Sequence, residues 1–526
     1  MTATSGTPED SAARIIRLRQ QVDAMRETVH KRLDQNCTGI QAAAGLAQAT
    51  EQFVIDRWNE AVDQHAINLR SALEQSGALI VVGGSGRGDV APYSDVDLLF
   101  LHISEGPQQF ESCVAQVVRD CWDAGLKLGH SVRTPQDLLR TAKADPQFAT
   151  TLVEARRIWG SAELVDRTLR QYRNAVLRSR RRQFIDACIA ERDKERVAHG
   201  ATVQQLEPDV KRSLGGLRDL HLIRWIGAAR YGTSNIDSLK LQGALSPTDA
   251  LRLTLAHEYI TAVRIRLHLA AGRPQDVLTR DDQLRIAEQR GIPGTAGQRP
   301  VERFMQEYFQ HSMAIAEIAA RFVQRHRQQP VAQRLYHFVM NHRVDEVYRV
   351  GPEFIDLPRS LRSRHCSTLE DILRLYVTAG LHCVDLSPAL TEHVKTVARN
   401  MPDAQLSAEA SRLFLEFLST PGHLAILVRS LYDTGVLELV LPVMRHVRCL
   451  LQFNQYHSYT VDEHTLRTID AAESFLATDT PLGQAYREIP HKELLHLALL
   501  LHDAGKGYEE DHSEVGRRLA WDAAVR

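Results

Sequence analysis

The chain of 526 residues has only seven cysteines, Cys37, Cys113, Cys121, Cys188, Cys366, Cys383 and Cys449. None forms a Cys-x-x-Cys pair and the number is odd. That pattern argues against a disulfide framework or a zinc ribbon, and for reduced thiols in a cytoplasmic protein. Long apolar runs are also missing. The most apolar stretch, Leu494 to Leu501, is interrupted by His496 and is too short to cross a bilayer. No signal-peptide core follows the N-terminal MTATSGTPEDSAARIIRLRQQ. A net charge of one sign is lacking as well: the formal value is -1. There is no global basic field to hold a nucleic-acid backbone. Arg178 to Arg182 is a local basic run that reads as a solvated helix face.

The chain does carry the composition of an ordinary globular protein, 44% apolar and 25% charged, at a length that exceeds one hydrophobic core. Helical spacing runs through residues 10 to 75. The strand-rich stretch is short, about residues 77 to 135. Beyond it nearly everything reads as helix, including Leu152 to Arg156, Leu253 to Leu269, Val301 to Val323, Leu369 to Tyr376 and Ala410 to Leu418. The class is therefore α+β, a small catalytic unit in a large helical body. The units are expected at 1–75 (helical), 76–165 (catalytic core), 166–330 (associated helices), 331–455 (helical linker) and 456–526 (a partial second domain).

Two constellations carry chemistry. In the first, the apolar run Ala78 to Val82 leads into Gly83-Gly84-Ser85-Gly86-Arg87-Gly88-Asp89, and Asp95-Val96-Asp97 opens a second apolar run to Leu101. Residues two apart on a strand share a face, so Asp95 and Asp97 point the same way, roughly 6–7 Å apart along the chain. Paired carboxylates at that spacing can hold Mg²⁺, which prefers substrate phosphates as further ligands. Glycines beside them let backbone amides approach a triphosphate. The third supporting carboxylate is open among Asp137, Asp145 and Glu154, and Arg133 is either a phosphate contact or a structural salt bridge. This pattern resembles the nucleotidyltransferase superfamily that includes polymerase β.

In the second constellation, His464 lies in Tyr459-Thr-Val-Asp-Glu-His464, and His502-Asp503 ends an apolar helix stopped by Gly505-Lys506-Gly507. Imidazole and carboxylate together suit a divalent transition metal. His512 is a further candidate ligand or substrate contact. This pattern resembles the HD superfamily of metal-dependent phosphohydrolases.

The order of the two resembles the bifunctional PII uridylyltransferase/uridylyl-removing enzymes. Further segments fit that family: Gly129 to Asp137, Glu207-Pro-Asp-Val-Lys211 with Gly215-Gly-Leu-Arg-Asp219, Leu267-His268, Gly272-Arg273, Asp276-Val-Leu-Thr, Gln283, and His457 to His464. The resemblance implies UTP and the PII signalling protein as substrates. It assigns Asp95 and Asp97 to catalysis and Mg²⁺. It gives Gly83, Gly84, Ser85 and Arg87 to the nucleotide, the serine through its hydroxyl. His464, His502 and Asp503 would hold Mg²⁺, Mn²⁺ or another divalent transition metal for removal of UMP. No membrane or nucleic-acid partner is implied. Departures are Ser85 for an aromatic and Asp89 for a glutamate. The two C-terminal ACT domains are also missing, as is the closing HD aspartate, Asp522 being the only one beyond Asp511. A fragment or an incomplete hydrolase site is expected on that account. Three alternatives remain: a different nucleotidyltransferase acting on RNA or a small molecule, a guanosine tetraphosphate synthetase/hydrolase whose usual domain order is the reverse, and a non-catalytic regulatory protein on a decayed scaffold.

Overall fold

The computed structural model describes residues 8–35, 37–65, 67–103, 109–199, 202–295, 297–327, 342–401, 406–452 and 459–525. His457 and residues 331–341 of the expected linker lie outside that set. The chain forms two compact units, one of residues 1–286 and 308–327, the other of residues 287–307 and 328–526.

The first unit is built on a four-stranded mixed sheet in the order β3-β2-β1-β4. Strand β1 (Gly77–Val81) pairs antiparallel with β2 (Val96–His102) and with β4 (Arg156–Gly160), and β2 pairs parallel with β3 (Leu128–Arg133). Alternation of side chains places Leu79, Val81, Leu98 and Phe100 on one face. That face joins a core with Phe53, Trp58 and Phe110, drawn from the helices Gly39–Asp63 and Gln109–Asp123. Trp58 is fully buried, its ring 6.0 Å from Phe100, 5.3 Å from Phe110 and 5.1 Å from Trp159. The helix Gly39–Asp63 starts on a capping box, Thr38 with Gln41, which satisfies backbone donors that the first turn leaves free.

Two sequence expectations change here. Leu152 to Arg156 is not helical: Leu152 caps the short helix Pro146–Thr151, and Arg156 opens β4. Its apolar residues belong to a turn and a sheet edge, which a five-residue window cannot tell from a helix. The supposed glycine loop is one helical turn, Gly83–Arg87, entered through Gly83 at φ +55°. The expected helices at Leu253 to Leu269 and Val301 to Val323 lie inside Pro247–Ala271 and Pro300–His326. The basic run Arg178 to Arg182 is exposed.

The second unit is mainly helical, yet it holds a small sheet, β5 (His342–Val344), β6 (Tyr348–Val350), β7 (Phe354–Asp356) and β8 (Asp385–Leu386). Strands of two or three residues are too short to show a period, so this sheet is invisible in the sequence. Around it stand helices including Leu369–Leu381, Ala408–Leu418, Leu424–Thr434, Val461–Ser474, Lys492–Leu501 and His512–Val525. No described helix is long and apolar enough to cross a membrane. The seven cysteines are free thiols.

Candidate functional site

Asp95 and Asp97 line one cleft of the first unit together with Gly83, Gly84 and Arg87. Asp97 belongs to β2, whereas Asp95 stands just before it and is exposed. The Asp97 carboxylate sits between two glycines. A Cβ on Gly83 would come within 2.7 Å of its Oδ2, and one on Gly129 within 2.8 Å of its Oδ1. Gly129 is the parallel partner of Asp97 across β2 and β3. Each glycine therefore keeps space for the carboxylate, which is a stronger reason for glycine than backbone freedom alone. Gly84 has open room beside it, its nearest would-be contact being 3.8 Å away.

Burial raises the Asp97 carboxyl above its ordinary range, and the neighbouring Asp95 charge adds to the shift. Two carboxylates held together at this cost fit a hard divalent cation, whose charge would relieve both.

The same cleft is lined by Lys211, Arg218 and Arg264. They come from a loop, the start of helix Leu217–Tyr231 and helix Pro247–Ala271. Burial and the neighbouring Arg264 lower the Lys211 ammonium to about 8, with Asp276 opposing and Arg218 and Arg212 adding. The loop is held from beneath. Asp219 is fully buried and takes a bidentate pair from Arg192, at 2.8 and 3.0 Å, a bond from Arg196 at 2.8 Å, and the Gly215 N–H at 2.7 Å. Asp276 accepts from Arg264 at 2.7 Å and lies 3.1 Å from His268 Nε2. Gln283 closes the same region by donating to the carbonyls of Leu206 and Leu278. The segments singled out in the sequence at Glu207 to Asp219, His268, Asp276 and Gln283 are thus one scaffold for a cationic wall.

Other residues take structural roles. Ser85 is buried, and its hydroxyl accepts the Asp97 N–H at 3.0 Å. It fastens the glycine turn to β2 and keeps its O–H as a donor. Arg87 lines the cleft but is paired with Asp89 at 3.2 Å and Glu154 at 3.4 Å. Asp89 also faces His257 at 3.1 Å, Arg224 at 3.6 Å and His221 at 3.7 Å. Burial alone would raise the Asp89 carboxyl; His257, His221 and Arg224 outweigh it and hold it well below the ordinary range. This network ties the glycine turn to two distant helices, and nothing in local sequence spacing signals it.

Of the carboxylates left open, Asp137 accepts from Thr134 and Arg140, and Asp145 caps the helix Pro146–Thr151. Glu154 pairs with Arg87 and Arg224. Arg133 donates to Thr141 at 3.0 Å and lies 4.9 Å over the Phe148 ring, and it makes no ion pair among the described residues.

In the second unit, His464, His502 and Asp503 converge: one ligand atom from each lies within 4.8 Å of the others. It is the one such group of three or more among the described residues. Helix Val461–Ser474 is fixed next to His464 by Asp462, fully buried, which accepts from the Tyr432 hydroxyl and from Cys449 N–H at 2.6 Å. Glu463 pairs with Arg429 at 2.9 Å and Arg467 at 2.8 Å. His502 Nδ1 is 2.7 Å from the Leu499 carbonyl, so Nδ1 carries the proton and Nε2 faces Asp503 at 3.3 Å. Fixing the tautomer this way leaves Nε2 as a ligand, which fits a transition metal. Lys506 also contacts Asp503, at 2.8 Å. Burial would raise Asp503; His502 and Lys506 hold it well below the ordinary range. His512 and Asp522 stand outside this group.

The chain is similar in sequence to known proteins. Residues 183–323, which include the scaffold of the cationic wall, match the family model described as GlnD PII-uridylyltransferase. A bifunctional uridylyltransferase/uridylyl-removing enzyme of Azospirillum brasilense is 33% identical over 453 residues, 84% of this chain and 48% of the relative. The one from Caulobacter vibrioides is 31% identical over 535 residues, 98% of this chain and 56% of the relative. That of Ruegeria pomeroyi is 33% identical over 85% of this chain and 50% of the relative. The chain spans about half the length of the curated relatives it matches.

Proposed function

Because this chain is related over most of its length to bifunctional uridylyltransferase/uridylyl-removing enzymes, we propose that its first unit transfers UMP from UTP to a tyrosine of a PII signalling protein. The observation that carries this reading is one cleft lined by Asp95 and Asp97 together with Lys211, Arg218 and Arg264. Acids and cations in one cleft are what a metal-bound polyphosphate requires. The first unit would thus be a nucleotidyltransferase core with its helical companion.

In this reading Asp95 and Asp97 hold Mg²⁺, which when bound supplies charge neutralisation at the triphosphate. Gly83 and Gly84 give the phosphates room to approach the backbone. Lys211, Arg218 and Arg264 hold phosphate oxygens and stabilise the charge that builds on the departing pyrophosphate. The tyrosine oxygen forms a bond to the α-phosphorus, and the bond from that phosphorus to pyrophosphate breaks. Asp276 holds Arg264 in place, and Asp219 holds the loop that precedes Arg218.

The second unit, read as an HD domain, would remove UMP from modified PII. His464, His502 and Asp503 are its metal-holding residues, for Mn²⁺, Mg²⁺ or another divalent transition metal. UTP and PII place the chain in the cytoplasm, with no membrane or nucleic acid as a partner. The test is pyrophosphate release: the chain with Mg²⁺ and UTP should release it only when PII is added. Release that ignores PII, or none at all, overturns the reading.

A further inference from the structure

A second cavity, of about 600 Å³, lies in the first unit among the helices Pro146–Thr151, Arg181–His199 and Leu217–Tyr231. It shares Thr150, Thr151, Arg218 and Trp225 with the cleft that holds Asp95 and Asp97. We propose that this cavity is the nucleoside subsite of the transferase, with the Trp225 indole N–H donating to a carbonyl oxygen of the pyrimidine base. The proposal rests on the transferase reading above and adds where the base goes and what reads it.

Three observations carry it. Trp225 is 9% exposed, and its Nε1 is buried without a hydrogen-bond partner. A buried N–H left unpaired costs free energy, which a ligand acceptor would recover. The cavity wall carries Ala187, Cys188 and Ala190, which offer a flat base an apolar surface, and its charged residues there are paired, Arg192 with Glu195 at 3.2 Å and Lys194 with Glu191 at 3.6 Å. Arg218, at the junction of the two spaces, has a buried Nε with no hydrogen-bond partner and stands 3.6 Å from Glu195. The junction thus offers the Arg218 guanidinium where an α-phosphate would pass, and the cavity beyond it mixes apolar side chains with paired charges. A protein loop bearing the acceptor tyrosine is the competing occupant, and the enclosed unpaired N–H favours the small base.

Calorimetry on the full chain with Mg²⁺ decides it, using UTP and inorganic tripolyphosphate as probes. Trp225→Phe keeps the ring and removes the N–H. It should weaken UTP by about tenfold, the worth of one buried hydrogen bond, and leave tripolyphosphate binding unchanged. Ala187→Trp intrudes on the cavity without touching the cleft and should do the same or more, at an unaltered melting temperature. Wild-type UTP affinity in both variants overturns the subsite. So does a rise in the KM for PII with UTP binding intact, which would give the cavity to the acceptor. Wild-type protein that binds neither UTP nor tripolyphosphate overturns the transferase reading itself.

Discussion

The two constellations differ in how their charges are supported. In the first unit, Asp97 is boxed between Gly83 and Gly129, Arg264 of the cleft is held by the half-buried Asp276, and the buried Asp219 anchors the loop before Arg218 through Gly215. In the second, Asp503 is already paired with Lys506 and His502, and His464 is 42% exposed on the side chain. The cleft thus holds two acids together at a cost that Arg87 and Lys211 offset only in part. The histidine cluster is electrostatically satisfied as it stands. Preorganised, unsatisfied charge is the signature of a site built for a polyphosphate. A satisfied cluster must exchange a lysine contact for a metal.

The sharpest way to break this comparison is to cross the two sites. Asp95→Asn and Asp97→Asn should abolish UMP transfer, because an amide is a poor ligand for a hard cation, with the melting temperature nearly unchanged. Asp503→Asn should leave transfer intact. Loss of transfer in Asp503→Asn would mean that the two sites do not work independently.

Next in size is the glycine box. Gly129→Ala should lower kcat by about a hundredfold, since displacing a carboxylate by a fraction of its contact distance misplaces the reacting groups. Gly84→Ala, with open space beside it, should cost far less. Equal losses at the two positions would show that the box does not set Asp97.

The cationic wall gives a pH signature. Lys211 is charged below its midpoint of about 8 and neutral above it, so kcat/KM for UTP should fall as pH rises through about 8. The fall should reach about tenfold one pH unit past the midpoint if the charged form alone binds phosphate. Lys211→Arg stays charged and should flatten the profile; a profile that still falls in that variant removes Lys211 from the wall.

The smallest effect is at Lys506. Lys506→Met frees Asp503 from a partly exposed ion pair and should tighten Mn²⁺ binding at the histidine cluster by about threefold, read by titration. Weaker binding would show that Lys506 supports the cluster instead of competing in it.

How much of this was legible depended on distance along the chain. The glycine turn and the aspartate pair are separated by few residues, so their spacing alone predicts a shared site. His464 and His502-Asp503 are readable because each sits at a helix position with its own local signal. The cationic wall is not, because Lys211, Arg218 and Arg264 meet only through the bridge of Asp209 to Val277 and the bonds of Asp276. The Asp89 network with His221 and His257 is equally long-range. Ser85's bond to β2 was not legible, because it joins residues twelve apart through a backbone N–H. Short strands at β5–β8 left no period to read.

The central claim is that the cleft breaks UTP between its α- and β-phosphates. The direct measurement is to offer PII and Mg²⁺ with UTP labelled at either the α or the γ position. Label from the α position should appear on PII, and label from the γ position should leave as pyrophosphate in equal amount, with neither event in Asp97→Asn. Label from the γ position on PII, or transfer that survives in Asp97→Asn, would contradict the account.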